Sequence, residues 1–287
     1  MRALIFGASG QDGYYLSELC KTKGMEVIGV SRGHVGASIS SFIEVEQLIT
    51  TYLPACVFHL AANSTTRHDQ VFENHELIST GSLNILEAVR RHHPAAKVFI
   101  AGSGVQFKNT GKAISERDEF EASSAYAVSR IHAAYAARYY RTLGVRAYVG
   151  FLFHHESPRR KPNHVSQMIV QAVKRIAGGS AELLEIGNID VQKEWTFAGD
   201  MVKGILALVE QDAVFEAVIG SGVTHSIQDW LEQCFRIVGR NWRDHVRIRE
   251  GFRTEYMKLV SEPATIRSLG WAPEVSVVQL AEMMVRA

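Results

Sequence analysis

The amino-acid sequence predicts an α/β protein: a doubly wound parallel sheet followed by a smaller C-terminal lobe. Three observations carry that expectation. Short apolar runs with strand character alternate with helical patterns through the first half of the chain. A glycine-rich string follows the first apolar run directly. Past Phe151 the alternation loosens, which sets the second half apart.

Taken in order, strands are expected at 3–6, 27–30, 56–60, 98–101 and 147–151, and helices at 14–23, 81–91, 125–143 and 165–177. The stretch LNILEAVRRHH carries its apolar residues at helical spacing. The connection between Arg32 and Cys56 is short and opens on GHVGASISS, so a complete extra strand–helix unit scarcely fits there. Further helices are expected near 200–210, 226–238 and 275–285. The natural division is a core over 1–160 and a lobe over 161–287, interleaved with it.

Composition narrows the function classes. With 46% hydrophobic and 21% charged residues, 287 residues can bury one large core. The 31 basic and 30 acidic residues nearly cancel, so a nucleic-acid partner or a membrane surface is not expected, and any bound anion needs local charges. Cys20, Cys56 and Cys234 are odd in number and widely spaced, which reads as reduced, packed thiols in a cytoplasmic protein. The opening MRALIFGASG reaches its glycine turn too soon for a signal peptide, and no apolar run is long enough to span a bilayer.

The strongest chemical signal is the string Gly7, Ala8, Ser9, Gly10, Gln11, Asp12, Gly13 between a strand and a helix. In that context glycines let the turn close and bring the helix N-terminus against a dinucleotide pyrophosphate, the Rossmann arrangement. At the end of the second strand stands Arg32, where an acid would select NAD; a cation there suits the 2′-phosphate of NADP, with NAD the alternative. Ser103, after the fourth strand, and Tyr126, opening a helix, form a hydroxyl pair able to polarise a carbonyl and pass it a proton. Arg130 shares the helix face of Tyr126, four residues on, and its fixed charge favours the phenolate. His154 and His155 are adjacent and point apart, so no metal site is expected; Arg159 and Arg160 are placed to meet phosphate or a neighbouring subunit.

Six stretches, GASGQDGYYLSELCKTKGMEVIGVSR, VFHLAANS, SAYAVSRIHAAYAARYYR, GFLFHHESPRR, GNIDVQKEW and LVSEPATIRSLGWAPEVSVVQLAEMMV, resemble in order those of the extended short-chain dehydrogenases that modify nucleotide-sugars, most closely the GDP-mannose 4,6-dehydratases. The resemblance implies a nucleotide-sugar lobe after Phe151, with Leu60, Ala61 and Ala62 beside the cofactor. It also implies that Ser64, His154, Glu156, Arg160, Lys193, Arg253 and Glu255 meet a GDP-linked sugar, and that helices with 83–89 and 135–139 pair between subunits of a homodimer or homotetramer. Departures from the family pattern matter for the reaction. Arg130 stands where the family has lysine, Val105 where it has the dehydrating glutamate, His154 where it has asparagine and Lys193 where it has arginine. Arg253 and Glu255 lie one residue closer together than the family pair. Loss of the glutamate, with the short connection after Arg32, favours reduction of a 4-keto sugar. A divergent 4,6-dehydratase and a weakly active or inactive sugar-binding subunit are the alternatives.

Overall fold

A computed structural model describes residues 1–31 and 37–287 of the chain. The runs rich in Val, Ile, Ala and Phe become β1 (Arg2–Phe6), β2 (Glu26–Val30), β3 (Cys56–His59), β4 (Lys97–Ser103) and β5 (Arg146–Leu152). All neighbours among them pair in parallel, in the spatial order β5-β4-β3-β1-β2, and a later strand adds to the β5 edge. Near-continuous burial along β1, β4 and β5 is what a sheet covered on both faces requires. The doubly wound parallel sheet expected from the sequence is therefore present. Its order reverses between β1 and β3, so a crevice opens beyond their C-terminal ends, next to Gly7 and Leu60.

Strand side chains alternate between two cores. Leu4 and Phe6 face α2 (Phe42–Tyr52), while Ala3 and Ile5 face α1 (Gln11–Thr22) on the opposite side. A continuous helical run follows β3: α3 (Val71–Asn74), a π-helical stretch over His75–Thr80, and α4 (Gly81–His92). It packs beside α5 (Ala125–Thr142), which is capped by Ser124 accepting from the Ala127 N–H at 3.1 Å.

Helix α2 was not among the helices expected. The connection after β2 holds an eleven-residue helix, with Ser41 as N-cap, and no strand lies among its described residues, so no complete strand–helix unit is seen there. Val45, Leu48 and Ile49 give it a buried stripe, and that stripe needs only three turns of helix.

After β5 the chain leaves the sheet. It forms β6 (His155–Glu156), α6 (Val165–Ala177), β7 (Leu184–Ile186), β8 (Gln192–Glu194) and β9 (Thr196–Phe197). Then α7 (Ala198–Val209) covers the α1 face, and β10 (Glu216–Ile219) joins the sheet beside β5. The rest comprises β11 (Thr224–Ser226), α8 (Ile227–Ile237), β12 (Val246–Ile248), β13 (Lys258–Leu259), α9 (Ala264–Ser268) and α10 (Val277–Arg286). Helices α6, α8 and α10 enclose a separate core around Trp195, Trp230 and Phe235. The second half thus supplies both this lobe and part of the main sheet.

Glu194 fastens the two regions. It is fully buried, and one carboxylate oxygen accepts from the N–H and hydroxyl of Ser261, both at 2.6 Å. The other accepts from the N–H and hydroxyl of Ser221. Burial pushes this carboxyl up, while the four donors oppose the shift.

Candidate active site

The glycine string makes a turn pressed against the chain leaving β3. Gly7 has φ +88° and donates to the Val30 carbonyl at 2.9 Å; a Cβ on it would lie 2.7 Å from Ala61 N. At Gly13 a Cβ would lie 2.2 Å from the Gly7 carbonyl oxygen. Helix α1 therefore starts hard against the turn. Its N-cap, Gly10, offers no side-chain acceptor, which leaves first-turn N–H groups for an anion.

The side chains of this first turn reach across to β6. Nε2 of His155 lies 2.9 Å from Asp12, and its Nδ1 lies 2.7 Å from the Phe153 carbonyl. Burial alone would lower the imidazole pKa, but Asp12 raises it; burial alone would raise the Asp12 carboxyl, but His155 holds it low. Ser157 donates to Gln11 at 2.8 Å. Segments 143 residues apart are thus joined by a part-buried His–Asp pair.

The crevice widens into a cavity of about 570 Å³ whose walls include Asp12, Leu60, Ser64, Ser103, Val105, Tyr126 and Arg130. Ser103 ends β4, its hydroxyl accepting from the Gln106 N–H while its own N–H donates to the Gln106 side chain at 2.8 Å. Its hydroxyl proton stays free to donate. Tyr126 and Arg130 share a face of α5, with the guanidinium 5.0 Å from the ring centroid. Arg130 is 4% exposed and donates to the Ala101 carbonyl, and its Nε has no hydrogen-bond partner among the described residues. Behind it lies buried His59, pushed down to about 3 by burial and by the charge of Arg130.

At the lobe end the same cavity is lined by His154, Arg160, His164 and Lys193. Glu156 sits fully buried beneath them, 2.9 Å from His154 Nε2 and 3.4 Å from Arg160 Nε. Burial alone would raise the Glu156 carboxyl; Arg160 and His154 hold it well below the usual range. Burial brings Lys193 down to about 8, and His154 and His164 each to about 4. The Lys193 ammonium lies 5.0 Å from the Trp195 ring centroid, and Trp195 stacks on Trp230 at 4.5 Å. The cluster is a cationic patch with one internal counter-charge, suited to a diphosphate.

The structure gathers most of the residues the sequence singled out. Ser64, Ser103, Tyr126, Arg130, His154, Arg160, Lys193 and Glu255 line one cavity with Asp12 and Leu60, while Glu156 supports them from behind. Gly7, Gly10 and Gly13 form the turn, Ala61 and Ala62 pack beside it, and Ser9 is exposed at its tip. Arg253 is exposed and does not line the cavity. Arg32 lies outside the described residues. The two histidines do part company, to Glu156 and to Asp12. Arg159 lies over the Tyr14 ring at 3.7 Å, and Arg160 reaches His164 at 3.0 Å. Sequence reasoning missed His59, His164, Thr66 and the Asp12–His155 pair. Only the pair left a trace, as charged residues in two stretches already singled out.

The model of the GDP-mannose 4,6 dehydratase family matches residues 34–284. The chain belongs to the GDP-mannose 4,6-dehydratase family. Among curated relatives, GDP-mannose 4,6 dehydratase 1 of Arabidopsis thaliana is 33% identical, covering 99% of this chain and 88% of its own length. The GDP-mannose 4,6-dehydratase of Sinorhizobium fredii (strain HH103) is 29% identical over 99% of this chain and 95% of its own. Among solved structures, RMD from Pseudomonas aeruginosa complexed with NADPH superposes with a TM-score of 0.88 at 21% identity, covering 99% and 97% of the two chains. A UDP-glucose 4-epimerase of Thermotoga maritima with UDP-glucose gives 0.87 at 19%, covering 100% and 98%. These structures share the fold. Family membership makes the chain a nucleotide-sugar enzyme of the short-chain dehydrogenase type. No helix of the described residues is long and apolar enough to cross a membrane.

Proposed function

We propose that this family member reduces a 4-keto group on a GDP-linked sugar, with NADPH as the preferred cofactor. The observation that carries the reading is the lining of the cavity that holds Tyr126 and Ser103. Val105 is part of that wall, and its two carboxylates among the described residues are hydrogen-bonded, Asp12 with His155 and Glu255 with Thr66. Dehydration needs a base and an acid at that wall; ketone reduction does not.

The cofactor's diphosphate fits the uncapped start of α1 and the Gly7–Gly13 turn, where a Cβ would collide with backbone. The unpartnered Nε of Arg130 fits a contact to its nicotinamide ribose. A bound nicotinamide supplies the hydride that adds to C4. Tyr126 gives its hydroxyl proton to the C4 oxygen, Ser103 donates a hydrogen bond to that oxygen, and Arg130 keeps positive charge beside the tyrosine left as phenolate. Arg160 and Lys193 hold the sugar's diphosphate, with Glu156 fixing Arg160 and His154. The exposed face of Phe72, Val128, Tyr135 and Tyr139 supports a homodimer or homotetramer built through α3, α4 and α5.

The divergent-dehydratase reading is favoured by one finding, the dehydratase names of relatives aligned over the whole chain. One experiment separates the two. Purified protein is given GDP-mannose with NADP, or a GDP-4-keto-6-deoxy sugar with NADPH, and the sugar is followed by NMR. NADPH consumption in the second mixture, with little 4-keto-6-deoxy product in the first, is the expected result. Efficient formation of that product from GDP-mannose overturns the reductase reading.

A further inference from the structure

A second cavity, of about 560 Å³, adjoins the first. Thr66, Val105, Glu255, Tyr256 and Leu259 line both, so they form the partition between them. Neither the reacting hydroxyls nor Arg160 and Lys193 line the second cavity. It therefore lies past Val105 from Tyr126, on a side that the cationic cluster does not reach. Its other walls are rich in hydrogen-bonding groups, from Asn109, Thr110, Glu121 and Ser123 among others.

Sugar geometry says what belongs there. In a nucleotide-linked pyranose the diphosphate leaves from C1, and C4 is at the opposite end of the ring. Beside C4 stands C5, which bears the ring's one exocyclic carbon arm. With the diphosphate on Arg160 and Lys193 and C4 at Tyr126, that arm flanks C4 and can turn toward Val105. A hexose ends there, at C6. A short apolar side chain at the partition lets a longer arm pass, where a carboxylate would hold the C6 hydroxyl.

We infer that the second cavity is a subsite for a hydroxylated extension beyond C6, and that the substrate class is a nucleotide-linked sugar of seven or more carbons. The inference rests on the C4 reading proposed above. An added hydroxymethyl group that makes one or two net hydrogen bonds in this cavity raises affinity about tenfold.

The test uses protein saturated with NADP and calorimetric titration of GDP, GDP-mannose and GDP-glycero-manno-heptose. The heptose compound should bind about tenfold tighter than GDP-mannose. Ser123→Trp, and separately Thr110→Trp, fill the second cavity from exposed positions, and each should bring that ratio to about one. Equal affinities in the unmodified protein, or a preference that survives both substitutions, overturn the subsite while leaving the C4 reading in place. Failure of all three compounds to bind overturns both.

Discussion

Tyr126 and Lys193 carry much of the proposed chemistry, and each can be tested alone. Tyr126→Phe keeps the ring under Arg130 and removes the proton donor, so turnover of a 4-keto sugar should fall about 10²- to 10⁴-fold in a stopped-flow NADPH assay, with GDP binding unchanged. An unchanged rate would move the proton to another group. Lys193 gives a pH signature: burial brings it down to about 8, so it is charged below that pH and loses its charge above it. GDP affinity should therefore weaken as pH rises through about 8. Lys193→Arg, charged throughout, should flatten that profile in the same titration. A steep fall persisting in the arginine variant would assign the proton elsewhere. Of these residues the sequence told the type and the strand or helix end, because short motifs fix local geometry. It could not show that Arg130 bonds the Ala101 carbonyl, or that Arg253 stands outside the cavity, because those depend on chain brought in from far away.

Among elements, the strands β1 to β5 and the helices α1, α4, α5, α6, α7, α8 and α10 were legible because each carries enough turns or residues to show its period, whereas β10 was not expected. Helix α2 was not: its stripe of Val45, Leu48 and Ile49 is brief and follows a Gly/Ser-rich stretch that reads as loop. The strands β6 to β9 and β11 to β13 run two or three residues each, too short for alternation to register. What holds such short strands is side-chain bonding, and Glu194 supplies it. Glu194→Ala leaves the buried N–H groups of Ser221 and Ser261 without acceptors and should cost about 3 kcal/mol in urea unfolding. Glu194→Gln keeps acceptor capacity on one oxygen and should cost less. A loss below about 1 kcal/mol for the alanine variant would show that water replaces the carboxylate. The glycine turn has its own test: with 2.2 Å between a Gly13 Cβ and the Gly7 oxygen, Gly13→Ala should abolish NADP binding by displacing the start of α1. Retained affinity in a fluorescence titration would mean that the turn yields.

For the molecule as a whole, the large apolar side chains on the outer face of α3, α4 and α5 are the clearest unfinished surface. Tyr135 is 55% exposed, Tyr139 60% and Phe72 82%, and three such exposed aromatic side chains on α3 and α5 call for a partner. Light scattering at micromolar concentration should give a dimer or tetramer, and Tyr135→Glu with Tyr139→Glu should give the monomer; a wild-type monomer would remove the bundle. The architecture of the core followed from sequence periodicity, whereas the joining of its halves through Asp12 and His155 did not, since partners 143 residues apart share no local pattern. One feature of the lobe has an optical consequence. Trp195 and Trp230 are stacked at 4.5 Å with rings 8° from parallel, His154 meets the edge of the pair at 5.2 Å, and Lys193 stands over it. An indole emits according to the field across its ring and dims beside a protonated imidazole. Whatever draws the charge of Lys193 toward itself, or a proton onto His154, therefore changes the colour and yield of this buried pair, and the protein carries its own lamp for telling when an anion has arrived.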